Sequence, residues 1–571
     1  MKRYMIVLKA MNAISLIAII AHIISLIRPL ALVTVSRITV PIRLGSCIIG
    51  YYEDFILVVP ILITIALLAI ESEERIISFL IPIIYAIIPG WFLSNGTGIL
   101  LCISAFFATL IVLHRTGRFI EVVEGLLYAL IALGFGSICY WILHAISPNK
   151  FPSLPTRGPA GVITHLYYVV HEIGIIFATL FLYSWLLFPY ARGKGENVHN
   201  SNHSISKWKK EIMILSIITT AIIGVYPYLP TLNPTFKSIS VDVYYYTKWI
   251  REIRVHDLGG LIEWALSTSE GSRPFSLLVF YLATKILPFD VEDDLKIMTI
   301  CLLCLIPISV YVLAREIDED TAILSMLLAS LSPTVLVGLY AGYQSNLFTL
   351  IFAYIAQAYL IRALRSGKYR DSLLLSLLLL IVSFSHTWTW QMLIGTLLMN
   401  TLIYIIKGKV NSKKAITMLI LALMPSIIAD VIRARITVKP TGVSIGYKVL
   451  SKSLGVINLI NLGKNLRFLN NILVGGYTAE WISYLLAFVG MIIAMPDEIV
   501  AWIILPSMVF LVSNHTIQSR LLFNIPVSIP AALAISWLSR RLKIRTSIFV
   551  IAIYLTLLAN SLMMVANMVF P

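Results

Sequence analysis

Long, unbroken apolar runs dominate the chain, separated by short stretches rich in charge, Pro, Gly and Asn. The runs are continuous rather than alternating, so they predict helices and not the strands of a membrane barrel. At roughly 20 residues per crossing, they predict an all-α, polytopic transmembrane bundle of about 17 spans. In the front part the runs lie near 5–27, 53–71, 77–94, 98–113, 124–147 and 162–189. In the rear part they lie near 212–230, 297–314, 322–340, 346–362, 372–386, 390–406, 415–432, 479–495, 499–513, 521–538 and 547–569. The polar stretch 191–211 between the two parts reads as a basic linker, which gives a front module 1–190 and a rear domain 212–571. One run breaks the pattern. Phe275–Leu287, bounded by Arg273-Pro274 and Pro288, is too short to cross and reads as a re-entrant or interfacial segment.

Composition agrees with this pattern. Of the 571 residues, 59% are hydrophobic and 13% charged, against about 25% charged in a soluble domain. Mean hydropathy is +0.90. Water-soluble, disordered, collagen-like and disulfide-scaffold classes are thereby excluded. The first segment follows Lys2-Arg3 and exceeds the length of a signal-peptide core, so it reads as a retained anchor. The net charge of +16 is first the mark of the positive-inside rule and does not call for nucleic acid. Basic loops at 192–210, 362–370, 407–414 and 540–545 are assigned to the cytoplasm. Cys301 and Cys304 have a CxxC spacing inside an apolar run without His or acidic neighbours, which reads as packing rather than a metal or redox site.

Counting spans outward from those loops places several irregular segments on the external face: 231–274, 288–296, the turn at His386, 433–478 and 513–520. Polar segments gathered at one end of a rigid bundle are where a site can be built. In the first of them, Asp242 stands alone at the mouth of a span. The aromatic stretch Tyr244-Tyr245-Tyr246 through Trp249 follows it. Tyr245, Trp249 and Ile253 share one helical face, with Lys248, Arg251 and Arg254 opposite, so the stretch predicts an external in-plane amphipathic helix. An ordinary interfacial anchor has the same signature. Loop 433–478 holds Arg433, Arg435, Lys439, Lys448, Lys452, Lys464 and Arg467, with no Asp or Glu before Glu480. A basic loop on the external side fits an anionic lipid or glycan.

The order of these features resembles the membrane-embedded GT-C glycosyltransferases, the superfamily of protein mannosyltransferases and aminoarabinose transferases. It runs span, Asp with a Tyr cluster, in-plane helix, Arg273-Pro274, apolar helix. The resemblance extends through Ala314-Arg315-Glu316, Ser332-Pro333 and Ser345-Asn346 to Gln518-Ser519-Arg520-Leu521-Leu522-Phe523-Asn524-Ile525-Pro526, over about 212–571. The Trp-Trp-Asp of oligosaccharyltransferase catalytic subunits is absent, and Ser272-Arg273-Pro274 stands where eukaryotic protein mannosyltransferases carry His-Pro-Pro. The resemblance implies transfer of a sugar from a polyprenyl-phosphate carrier to a lipid, glycan or protein acceptor on the outer face of the plasma membrane. Asp242 would be the general base.

That chemistry also needs cations for the departing phosphate. Arg520, Arg273, Lys248 and His386 are the candidates, Arg520 for its bidentate grip. A snorkelling anchor is the other reading of Arg520, and a boundary turn with Trp anchors that of His386. Asp290, Glu292, Asp293 and Asp294 either hold Mg²⁺ or Mn²⁺ or simply complement the N-terminus of the helix that follows. His144, His165, His171 and Glu172 form a front-half cluster open to three readings: an interhelical bond, an ion path or a metal site. That cluster is the main support for the alternative function, a polytopic transporter or lipid flippase.

Overall fold

The computed structural model describes residues 205–253, 257–437 and most of 481–569, with 41–44, 47–51 and part of 127–149. Five of the predicted front spans, together with His165, His171, Glu172 and the loop 438–463, lie outside the described residues. The chain forms two compact units, residues 1–201 with 538–563 and residues 202–537 with 564–571.

In the first unit, β1 (Pro41–Leu44) and β2 (Cys47–Tyr51) pair as an antiparallel hairpin, the only β-structure among the described residues. His144 is buried against the edge of Trp141, ring centroids 5.3 Å apart.

The second unit is built of helices. Those used below are α1 (Lys209–Val225), α2 (Val243–Arg251), α3 (Leu258–Ser267), α4 (Pro274–Ile286), α5 (Val291–Ala314), α6 (Glu319–Ala329), α7 (Pro333–Ala341), α8 (Gln344–Ser366), α9 (Tyr369–Ser385), α10 (Thr387–Ile406), α11 (Ser412–Ile436), α12 (Trp481–Ile493) and α13 (Asp497–Val512). Among the described residues of the whole chain, seven helices are long and apolar enough to cross a membrane. The fold is an all-α membrane helix bundle.

Sequence sets the helix boundaries locally. Asp257, Asp290, Asp318, His386 and Asn411 each accept a backbone N–H from the first turn of the helix they precede. Pro274 and Pro333 occupy first-turn positions, where no N–H is needed. α6 and α7 together make one apolar span, interrupted where Ser332-Pro333 restarts the helix. Every side chain from 321 to 339 is buried within protein. α8 packs closely on this central span, because a Cβ on Gly338 would stand 2.8 Å from Leu347. Small residues on the buried faces allow such approach in membranes, and α8 buries Ala353, Ala356 and Ala363. The outer helices instead expose apolar stripes. On α11, Ile416, Ile420, Met424, Ile428 and Ile432 recur every fourth residue and stay uncovered, the face a lipid tail would contact.

The two ends of the bundle differ. At one end the loops cluster in ion pairs: Arg362 with Glu316 at 2.6 Å, Arg365 with Glu498, and Lys407 and Lys409 with Asp497. The basic loops at 362–370 and 407–414 therefore meet acidic partners on neighbouring loops and are not wholly unpaired surface charge. At the other end α4 makes a short return. It starts at Arg273, bonded to Tyr246 of α2, and the chain beyond it reaches Asp290, bonded to Arg251 of α2. Its 13 residues extend about 20 Å, less than the roughly 30 Å of hydrocarbon in a bilayer.

Candidate functional site

The site is assembled where α7 ends. The last carbonyls of a helix lack intrahelical partners, and here the segment before α2 supplies them. Val241 N–H donates to Tyr340 and Asp242 N–H to Ala341, both at 2.9 Å, and the Ser240 hydroxyl donates to Leu339 at 2.6 Å. Gly342 makes this docking possible. It has φ +66°, and a Cβ on it would meet Ser240 Cβ at 2.9 Å and the backbone nitrogen of Val243 at 3.2 Å. Gly342→Ala is therefore expected to lower stability by about 1–3 kcal/mol, measured by thermal unfolding in detergent, and to move Asp242 away from its neighbours.

Asp242 precedes the first turn of α2 yet does not cap it. Five other helices are capped by the side chain at this position, so the exception has to come from geometry: Asp242 has helical φ/ψ (−82°, −16°) rather than the extended conformation of a capping residue. Among the described residues no hydrogen bond or ion pair engages its half-buried carboxylate. Burial pushes its pKa above the ordinary carboxylate range, while the charges of Arg520 and Arg273 pull it part of the way back.

Arg273 and Arg520 complete a charged triangle with it. Arg273 donates to the Tyr246 hydroxyl at 2.9 Å and lies over the rings of Tyr246 and Trp249. The Tyr246 hydroxyl in turn donates to Ser345 at 2.9 Å, and Ser345 pairs with Ser276 at 2.8 Å. The loop leading to Arg273 is held in an unusual shape, with Ser269, Glu270 and Gly271 all at positive φ. Thr387 bonds the Ser272 carbonyl through both its N–H and its hydroxyl. Arg433, buried and paired with Asp430 at 2.7 Å, bonds the Gly271 carbonyl. Arg520 lies 5.1 Å above the ring of Tyr343.

The remaining wall is neutral. Nδ1 of His386 lies 2.8 Å from the Thr389 hydroxyl and 3.3 Å from the Thr389 nitrogen, which fixes the ring at the start of α10. Burial, reinforced by Arg273 and Arg520, holds its pKa well below the ordinary value, so the ring is uncharged at neutral pH. Asn346 and Asn524 pair through their amides. Together with Tyr246, Tyr343 and Leu521 these residues line one narrow cleft of about 30 Å³.

Four of the sequence-predicted residues thus converge here: Asp242, Arg273, His386 and Arg520. Lys248 does not. It is exposed, 3.9 Å from Glu252, because the buried face of α2 is Val243, Tyr246, Thr247 and Ile250 rather than the Tyr245 and Trp249 stripe expected from periodicity. Nor do the four acids gather at one point. Asp290 caps α5 and pairs with Arg251, Glu292 and Asp293 pair with Lys296, and Asp294 is buried. Among the described residues no three His, Cys, Asp or Glu side chains form a metal-binding group, so this turn does not fit Mg²⁺ or Mn²⁺. The anticipated basic loop begins later than the sequence indicated, since α11 continues to Ile436 and buries Arg433. Cys301 and Cys304 are free thiols.

Tyr343, Asn346 and Asn524 were not singled out as site residues from sequence. The available signal was positional: Gly342-Tyr343-Gln344 is a polar break between two spans on the same side as Asp242.

No family model matches the chain, and no curated protein matches it in sequence. Among solved structures, that of the Archaeoglobus fulgidus oligosaccharyltransferase tethered with an acceptor peptide containing the NVT sequon is similar, with a TM-score of 0.44 and 14% identity over 64% of this chain. The chain spans 56% of the length of that enzyme.

Proposed function

We propose that the protein is an integral membrane glycosyltransferase that moves a sugar from a polyprenyl-phosphate carrier to an acceptor hydroxyl or amide on the outer face of the membrane. One observation carries this reading: an unpaired, half-buried carboxylate shares a cleft with two guanidinium groups. Asp242 takes the proton of the acceptor as the acceptor atom bonds to the anomeric carbon. The bond from that carbon to the phosphate oxygen breaks, and its electron pair leaves on the polyprenyl phosphate. Arg520 and Arg273 stabilise the charge that develops there. The neighbours of Asp242 suit a base, because burial raises its proton affinity while the two arginines oppose part of that rise. No step is routed through a metal ion.

The test is transfer of radiolabelled sugar from a panel of polyprenyl-phosphate donors by the purified protein. Transfer by the wild-type protein is expected; absence of transfer from every donor would sink the proposal. Its pH dependence is a second check. The active form is the carboxylate, so kcat/KM rises with pH through the pKa of Asp242. That limb is expected above the ordinary Asp value of about 4. Arg520→Gln removes a charge that lowers this pKa, so the limb moves to higher pH. His386, neutral throughout this range, is expected to add no limb near its usual value of about 6.5.

A further inference from the structure

Asp242, Arg273 and Arg520 line one narrow cleft, yet among the described residues neither arginine closes an ion pair with the carboxylate. Opposite charges in so confined a space attract strongly, and an arginine side chain is long enough to swing toward a nearby carboxylate. A closed pair would occupy the base and the partner of the phosphate at once. For Arg273 the restraint is the hydroxyl of Tyr246. That hydroxyl accepts from Arg273 Nη1 at 2.9 Å and from the Ser345 N–H at 3.2 Å, and donates to Ser345 Oγ at 2.9 Å. A hydroxyl has one proton and two lone pairs. All three are used inside the protein, and none is left for a substrate. The ring is fixed in turn, edge-on to Trp249 at 5.3 Å and to Phe280 at 5.7 Å. Tyr246 also shares a helical turn with the base, its N–H donating to the Asp242 carbonyl at 3.3 Å.

We infer that Tyr246 is a positioning residue whose hydroxyl holds the Arg273 guanidinium off Asp242, so that the base and the phosphate partner stay separately available. The inference rests on the glycosyltransferase reading. The backbone leading to Arg273 is already pinned, with Ser269, Glu270 and Gly271 at positive φ and the carbonyls of Gly271 and Ser272 bonded by Arg433 and Thr387. Movement toward Asp242 is thus left to the Arg273 side chain. Its Nη1 goes to Tyr246 and its Nε stands 3.4 Å from Ser272 Oγ. Its other N–H groups have no protein acceptor among the described residues and are available to a phosphate. Arg520 is set back in a parallel way over the ring of Tyr343, at 5.1 Å. Asp242 therefore faces two cations, each seated on a tyrosine. The third titratable wall residue, His386, is uncharged, and the phenols are neutral below about pH 10.

Tyr246→Phe keeps the ring and its packing and removes only the hydroxyl. In this variant Arg273 is expected to close on Asp242. A cation brought nearer favours the carboxylate, so the rising limb of kcat/KM in the full-length protein moves to lower pH, by about one pH unit. At neutral pH kcat falls by about 10–100-fold, because the base is engaged. The direction is diagnostic. Arg520→Gln, which removes a cation, moves the limb the other way, and a merely structural loss of Arg273 from the cleft would do the same. Limb position does not depend on what fraction of the protein folds. Ser345→Ala, which loosens the same hydroxyl, is expected to shift the limb in the same direction by a smaller amount, and it decides the matter by the same criterion if Tyr246→Phe yields no active protein. In an Arg273→Gln background, adding Tyr246→Phe is expected to leave the limb within about 0.2 pH units. A limb that stays or rises in Tyr246→Phe, or a downward shift that persists without Arg273, overturns this inference alone. Absence of transfer by the wild-type protein from every polyprenyl-phosphate donor overturns the glycosyltransferase reading with it.

Discussion

Replacement of Asp242 by Asn is expected to lower kcat for sugar transfer by about 10³-fold, the usual worth of a positioned general base, with no loss of thermal stability. The dissociation follows from the local structure. Asp242 is placed by its backbone, which satisfies the free Ala341 carbonyl at the end of α7, and Asn keeps that bond. Among the described residues the carboxylate itself neither caps α2 nor closes an ion pair. Removing a half-buried charge that has no close partner also relieves its desolvation cost, so the melting temperature should hold or rise. Donor affinity should change little, since the arginines remain. A variant that transfers sugar at the wild-type rate would refute the role, and one that fails to fold would show the carboxylate to be structural.

Arg520→Ala should cost about 10²–10³-fold, mostly in kcat, because charge on the leaving phosphate is greatest in the transition state. Arg520→Lys should recover only part of this. A lysine ammonium supplies the charge but neither the two-pronged donor geometry nor the flat cation that stacks on Tyr343 at 5.1 Å. Comparing the two variants in kcat separates charge from geometry. Equal and full activity in both would remove Arg520 from the reaction and leave it as an interfacial anchor.

The membrane class and the rear helices were legible because apolar run length is a one-dimensional signal: the runs at 297–314 and 346–362 reappear as α5 and α8 with ends shifted by a few residues. The short run at 275–287 was legible for the same reason, through its length. Asp242, Arg273, His386 and Arg520 could be collected by sidedness alone, since each lies at a span end on one predicted face. Asn346 and Asn524 could not. Their meaning comes from a contact between residues 178 apart in sequence, and amides at helix ends are common. Lys248 lies outside the cleft, and sequence could not show this because periodicity gives a helix two faces without saying which one packs. The acidic turn showed charge density, but Lys296, one helical turn on, takes two of its carboxylates; only three-dimensional placement reveals that.

The central span has a consequence for how the protein meets its membrane solvent. From residue 321 to 339 this helix pair touches only protein, and its end is the platform on which Asp242 is docked. Bilayer thickness and acyl-chain order act on helices with lipid-facing surface, such as α11, and tilt or bend them. The α6–α7 pair has none in that stretch. Asp242 is mounted on a post insulated from the bilayer, so its carboxylate keeps its register while the outer helices adjust to membranes of different composition.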